Sequence, residues 1–423
     1  MKANRGLLLT LGAAALAAAC TPPAATGGAP APGGGPRVTV GLPDVACSTG
    51  RFAQQPAADS AAAKLALVMA QPEAERQAEW QTALDQARRA IQADPENAYA
   101  YYIAGEAAVG LGNLAAADSA WDRAVAICPE LAAAETNARR AQASAEAAAR
   151  AFALYQAQDT AGALRVWEQA GMFDPTNPNP AFNAATVFYQ RDQTQQAVEN
   201  YRRALEVLNN PPAGLTEEQQ ADWRTMRASV YNGLLGSAIQ YLTNDQDQQA
   251  TALLTELTRL APNHPDVWYH QALALYNLER WQELTTVAQK ATELDPLNYD
   301  AWILYYNGFA GQAQAADDAR NTAQAEALSR QATAIRERSQ RLPVRLRNVQ
   351  YDAQDGSTRI FGAAVGTGTT APVRLEFTVF GESGPVGTQT LTITPPAKDQ
   401  AAAFEVNVPT TGPVLGYSYR VLP

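Results

Sequence analysis

The sequence predicts a mainly α-helical chain, a stack of helix pairs, that ends in a small all-β sandwich domain. Three observations predict it. A proline closes a helical run at Pro95, Pro129, Pro175, Pro262 and Pro296, and two of the gaps between them, Pro95 to Pro129 and Pro262 to Pro296, are 34 residues. Between those prolines small side chains recur at helical spacing, with a bulky ring at a fixed offset. At Leu342-Pro343 alanine and glutamine give way to valine, threonine, glycine and proline.

The N-terminus reads as an export signal. Lys2 and Arg5 precede an apolar run over 7–16, and Ala17-Ala18-Ala19 precede Cys20. The run is too short to span a bilayer comfortably. Small residues before a cysteine resemble the bacterial lipobox, although leucine is commoner where Ala17 stands. The resemblance implies cleavage after Ala19 (signal peptide 1–19) and lipidation, including palmitate, of Cys20. Several acyl chains hold a soluble domain to a membrane at about 0.8 kcal/mol per buried CH₂. Residues 20–36, rich in glycine, alanine and proline, have no apolar period and read as a tether spanning roughly 20–24 Å. Thr21 favours an outer-membrane lipoprotein facing the periplasm over inner-membrane retention. Residues 37–59 read as irregular.

Helix pairs are expected over 60–310. In the unit ending at Pro129, Tyr101, Ala104, Gly105 and Ala108 share one helical face. Ala117, Trp121 and Ala124 share a second. Gly105 and Ala117 let the helices approach, and Trp121 fills the gap to the next repeat. Ala163, Trp167, Ala170 and Pro175 repeat the frame, as do Ala197, Tyr201 and Ala204, then Ala250, Leu254 and Pro262, then Leu284, Ala288, Ala291 and Pro296. This pattern resembles the tetratricopeptide repeat (TPR), and the resemblance implies a TPR-type α-solenoid. Two spacings depart from 34. The excess before Pro175 falls in an alanine-rich run over 132–150, read as a lengthened helix. The excess before Pro262 holds Asn209-Asn210-Pro211-Pro212, after which Thr216 and Gln219 offer a capping box for a long helix. Residues 311–342, polar and poor in large apolar groups, are expected to form a capping helix, with a coiled-coil arm as the alternative.

Strands are expected over 344–351, 358–365, 373–380, 386–394, 402–408 and 415–421, separated by glycine and proline turn signals. Arg374 to Val379 alternates apolar and polar. Six short strands over 343–423 read as an antiparallel sandwich and loosely resemble immunoglobulin-like or fibronectin type III-like modules, which implies little about activity.

The chain of 423 residues carries a net charge of −10, which argues against a general nucleic-acid binder. With Cys20 lipidated, Cys47 and Cys128 remain. An oxidising compartment favours a disulfide between them, and two unrelated thiols are the alternative. His264 and His270 are six residues apart and point to different helix faces, so no shared metal site is expected. No catalytic or cofactor motif is evident, and the chain reads as a non-enzyme without a cofactor.

In tetratricopeptide arrays the concave wall is lined by the first helix of each pair. Carried onto this chain, those offsets give Tyr99, Tyr102, Phe152, Tyr155, Phe182, Tyr189, Asn232, Tyr269, Tyr276 and Asn277, with about half expected to face the groove. Tyrosine suits adaptable contacts because it combines area with a polar tip. The expected function is a membrane-tethered periplasmic scaffold that binds a protein or peptide, an accessory of an envelope assembly or secretion machine. The alternative is a polysaccharide-binding or export accessory lipoprotein.

Overall fold

The computed structural model describes residues 73–354 and 356–423, together with Val45 and Cys47. The expected signal peptide, the lipidated Cys20 and the tether lie outside the described residues, as does most of 37–72. The chain divides into two compact units. Among the described residues, the first takes those from 45 to 185 and 202–212. The second takes 186–201 and 213–423.

In the first unit, α1 (Glu73–Ala93) packs on α2 (Ala98–Gly110), and α2 on α3 (Leu114–Ile127). A π-helical turn (Ala132–Thr136) runs into α4 (Asn137–Gln156), which pairs with α5 (Thr160–Phe173). The alanine-rich excess is therefore helical, with a π bulge at its start. Asparagine or aspartate opens each of three helices. Asn97 accepts from the Ala100 N–H at 3.2 Å, Asn113 from Ala116 at 3.1 Å and Asp159 from Gly162 at 2.9 Å.

The helices nest as small against large. A Cβ on Gly105 would lie 2.1 Å from the Trp121 ring nitrogen, so α2 and α3 meet at a distance only glycine permits. Trp121 is fully buried, and its Nε1 donates to the Tyr102 carbonyl at 3.1 Å. Trp167 repeats the device one pair later, donating to the Ala148 carbonyl at 3.2 Å. As expected, Trp121 reaches the next pair, meeting Phe173 of α5 with ring centroids 5.6 Å apart, and it also packs inside its own pair. Cys47 and Cys128 form a disulfide, with Cα atoms 5.4 Å apart. Val45 and Cys47 pack against the hydrophobic cluster that contains Tyr99.

Helices α6 (Asn179–Gln190) and α7 (Thr194–Leu208) each contribute to both units. The second unit continues with α8 (Glu217–Thr243), α9 (Asp247–Leu260), α10 (Pro265–Asn277), α11 (Trp281–Leu294), α12 (Tyr299–Asp318) and α13 (Thr322–Gln340). The Thr216–Gln219 capping box is present at the head of α8. Gly233 of α8 faces Tyr201, where a Cβ would meet the ring at 2.3 Å. Residues 311–318 prolong α12, so the last helix is α13 alone and the expected capping segment over 311–342 is two elements. The pair α12–α13 is a helical hairpin rather than a free arm.

A left-handed residue sits in each turn from the first to the second helix of a pair: Gly112, Gln158, Asp192, Asp245, Glu279 and Arg320, with φ between 55° and 72°. The second helix starts two residues later each time. Only one of the six is glycine, so the turn carries no glycine signature in the sequence.

The β module holds two three-stranded antiparallel sheets. One has the order β1 (Val344–Gln354), β2 (Ser357–Gly366), β5 (Ala401–Pro409). The other has β4 (Gly384–Ile393), β3 (Val373–Gly381), β6 (Gly416–Val421). Val344 pairs with Gly366 and Val373 with Ile393. Its core is continuous with the helices of the same unit. Leu297 and Trp302 are buried in one cluster with Val344, Leu375, Phe377 and Tyr417. The Leu346 N–H donates to the Leu297 carbonyl at 3.0 Å. No helix among the described residues is long and apolar enough to cross a membrane.

Candidate partner-binding face

The first helix of each pair supplies the face that the sequence offsets select. In the first unit, Phe152 is 39 % exposed and Tyr155 is half-buried, its ring 6.2 Å from Trp167. Tyr99, Tyr102 and Phe182 do not line an open groove. All three are buried, and Tyr99 and Tyr102 belong to the hydrophobic cluster of that unit. The Tyr102 ring stacks on Trp121 at 6.4 Å. Burial and the neighbouring Glu106 push its hydroxyl far above the ordinary range. Beside it the Arg139 guanidinium grips Glu106 with two bonds of 2.9 and 2.8 Å and Gln142 with one of 2.6 Å. This floor is an internally satisfied ion pair.

In the second unit, Tyr189 is half-buried, its hydroxyl close above Gly236. Tyr276 is half-buried and meets Trp281 edge-on at 5.8 Å. Asn277 is exposed and donates to Asp247 at 2.7 Å. Asn232 is taken by the β module, because the Tyr351 hydroxyl donates to its side chain at 3.2 Å. Tyr269 is half-buried and edge-on to His270 at 5.2 Å. Of the ten expected residues, Phe152 and Asn277 are exposed, Tyr155, Tyr189, Asn232, Tyr269 and Tyr276 are half-buried, and Tyr99, Tyr102 and Phe182 are buried.

What the sequence did not reveal is the seam between the β module, the middle of α8 and the heads of α10 and α12. His264, 2 % exposed, is ringed by Tyr231, Tyr351 and Tyr417, with centroids 6.1, 5.8 and 6.5 Å away. Gly416 closes over it, with space for no Cβ. Burial drives the His264 imidazole down to about 3, so it is neutral at physiological pH. Tyr419 donates to the buried Asp295 carboxylate and accepts from the Leu297 N–H at 3.1 Å. Asn298 gives Asp295 a second bond at 3.0 Å. Burial still raises Asp295 to about 6 against those two hydrogen bonds. Arg227 of α8 forms an ion pair with Glu382 in the β3–β4 turn. The available sequence signal was Tyr417 and Tyr419, two residues apart on one face of a strand. Nothing in their spacing says which helices they meet. His270 bonds the Asp266 carbonyl of its own helix at 2.7 Å.

No protein-family model matches the chain, and no curated protein does. Solved structures similar to part of it include YrrB, described as a TPR protein with an unusual peptide-binding site, at 18 % identity and TM-score 0.26, over 45 % of this chain and 85 % of that one. The MamA protein is similar at 13 % identity and TM-score 0.29, over 46 % of this chain and 89 % of that one. MamA from Desulfovibrio magneticus RS-1 gives 14 % and 0.26, over 46 % and 95 %.

Proposed function

We propose that the protein is an interaction scaffold that holds a peptide or protein partner against the first-helix faces of its repeats. The observation that carries this reading is the set of aromatic side chains left at those faces, with Phe152 39 % exposed and Tyr155 and Tyr276 half-buried. A rigid aromatic surface with polar tips gains contact area at small conformational cost. We further propose that a lipid on Cys20 tethers the scaffold to the bacterial outer membrane facing the periplasm, where it serves an envelope assembly or secretion machine. The support for the anchor is the N-terminal sequence pattern.

Photo-crosslinking residues placed at 152 in the first unit and at 276 in the second test the scaffold, with controls at Glu168 and Glu256 on the second helices of the same units. The expected result is a partner adduct at each of 152 and 276, absent from the control of the same unit, with the adduct at 152 reduced in a Tyr155→Ala variant. Equal crosslinking from all four positions would refute a first-helix site. Loss of glycan binding in that variant, with protein adducts unchanged, would favour a polysaccharide partner. Incorporation of a palmitate analogue that persists in Cys20→Ala would refute the anchor.

A further inference from the structure

Residues 330–347 hold six arginines against one glutamate, a local charge of +5 in a chain whose net charge is −10. They run from the second half of α13 into β1, inside the second unit. Two of the six are answered by carboxylates on their own helix, Arg330 by Glu326 at 3.8 Å and Arg341 by Glu337 at 3.4 Å. Among the described residues no carboxylate lies within 4 Å of the guanidinium of Arg336, Arg338, Arg345 or Arg347, and none of the four donates a side-chain hydrogen bond. Three of them lie over rings of α12 instead: Arg345 over Tyr299 at 4.1 Å, Arg338 over Trp302 at 4.9 Å and Arg336 over Tyr306 at 5.8 Å.

Tyr299 and Tyr306 are seven residues apart, so they share one face of α12, about 10 Å apart along its axis. Arg336 and Arg338 leave α13 about 200° apart, so Arg338 stands on the opposite flank of that helix. Ring contact fixes the plane of a guanidinium and leaves its edge, where the N–H groups lie, free to donate. Arg345 is half-buried, and its Nε is shut off from water without an acceptor. Its free donors are therefore the two terminal nitrogens, a pair that a carboxylate can take side by side. Tyr306 also lines a cavity of about 580 Å³ between α12 and α13. Asp317 and Thr322 mark the far end of that cavity, and Thr333, three residues before Arg336, marks the end at Tyr306.

Resting on the scaffold reading above, we propose that Arg336 and Arg345, mounted on Tyr306 and Tyr299, form a subsite for two carboxylate side chains of an acidic partner segment. Charge complementarity selects this occupant. The chain as a whole repels acidic partners, and a basic segment left without internal counter-ions is where one is accepted. Side chains three residues apart in a polyproline II segment stand about 9 Å apart on one side, which matches the spacing of the two rings. A bilayer surface fits less well. Arg345 and the cavity beside Tyr306 are recessed, and a flat array of headgroups meets protruding groups first.

The test uses the full chain and three sets of twelve-residue peptides with the same random flanks and a central Glu-x-x-Glu, Gln-x-x-Gln or Lys-x-x-Lys. The expected order of binding is glutamate over glutamine over lysine, with about a tenfold gap between the first two that narrows as salt is raised. Arg336→Gln and Arg345→Gln should each reduce that gap to about twofold, and Arg338→Gln, which changes the net charge equally, should keep it. Arg336 is exposed, so Arg336→Gln decides the matter if Arg345→Gln loosens the β module in urea unfolding. Equal binding of the glutamate and glutamine sets overturns the subsite, as does a gap retained in Arg336→Gln or lost equally in Arg338→Gln. Flotation with phosphatidylglycerol vesicles that is lost in Arg336→Gln, while the peptide sets bind alike, overturns it in favour of a lipid surface. None of these outcomes touches the scaffold reading, which stands or falls on the adducts at 152 and 276.

Discussion

Replacing both Cys47 and Cys128 with serine removes a cross-link between residues 81 apart. Closing a loop of that length takes roughly 4.5 kcal/mol of entropy out of the unfolded chain on the loop-closure relation. The native side loses little else. Cys128 ends α3 with its own N–H bonded to Ala124 at 2.8 Å, a bond that serine keeps. For a unit of this size a loss of that order lowers the melting temperature by about 10 °C. The assay is thermal and urea unfolding followed by circular dichroism, on the wild type, the double variant and the wild type under reductant. The last two should agree, because the effect belongs to the cross-link and not to the serine hydroxyls. Hydrogen exchange should quicken in α2 and α3 and stay unchanged in α10 to α13. A loss below about 1 kcal/mol would refute the argument, since it would mean that the unfolded chain already holds these residues close.

Gly105→Ala should cost about 1–3 kcal/mol, because the new Cβ would sit 2.1 Å from the Trp121 ring; urea unfolding with tryptophan fluorescence reads both the loss and the displaced ring. Tyr419→Phe strips a donor from the buried Asp295 and an acceptor from the Leu297 N–H. It should destabilise the second unit by about 2–3 kcal/mol, visible in chemical unfolding, and exchange at Leu297 and Leu346 should quicken first. Asp295→Asn should show a pH-dependent difference. The native carboxyl is raised to about 6, above its unfolded value, so ionising it opposes folding; that penalty is absent below the ordinary carboxylate range and complete above about pH 6. Stability of the variant relative to wild type should therefore improve by roughly 2–3 kcal/mol between pH 4 and pH 8. His264, lowered to about 3, acts in both proteins and cancels from the comparison. A flat difference across that range would contradict the desolvation of Asp295.

The repeat architecture was legible in the sequence because it is made of local rules. Gly105 beneath Trp121, alanines at helical spacing and prolines past helix ends act over one or two turns, and such signals survive in a string of letters. The β strands were legible for the same reason: alternation at Arg374 to Val379 states which side is buried before any partner is known. The lengthened α8 could be read from its capping box, but its use could not. Its Arg227, Tyr231 and Asn232 meet Glu382, His264 and Tyr351, residues brought to them only by folding of the whole second unit.

The fate of the tyrosines was likewise decided in three dimensions. Tyr99 and Tyr155 look alike by repeat offset, yet one lies in a core cluster and the other stays half-exposed. Offset fixes the direction of a side chain from its own helix; whether that direction is filled depends on what other segments cover it. The sequence by itself determined that helices pair and strands alternate, because those preferences are set by each residue and its neighbours within a few positions. Only the tertiary structure decided that Tyr417 and Tyr419 close over the heads of α10 and α12 and that Asp295 is buried beneath Tyr419, because burial and charge pairing depend on residues distant in the chain.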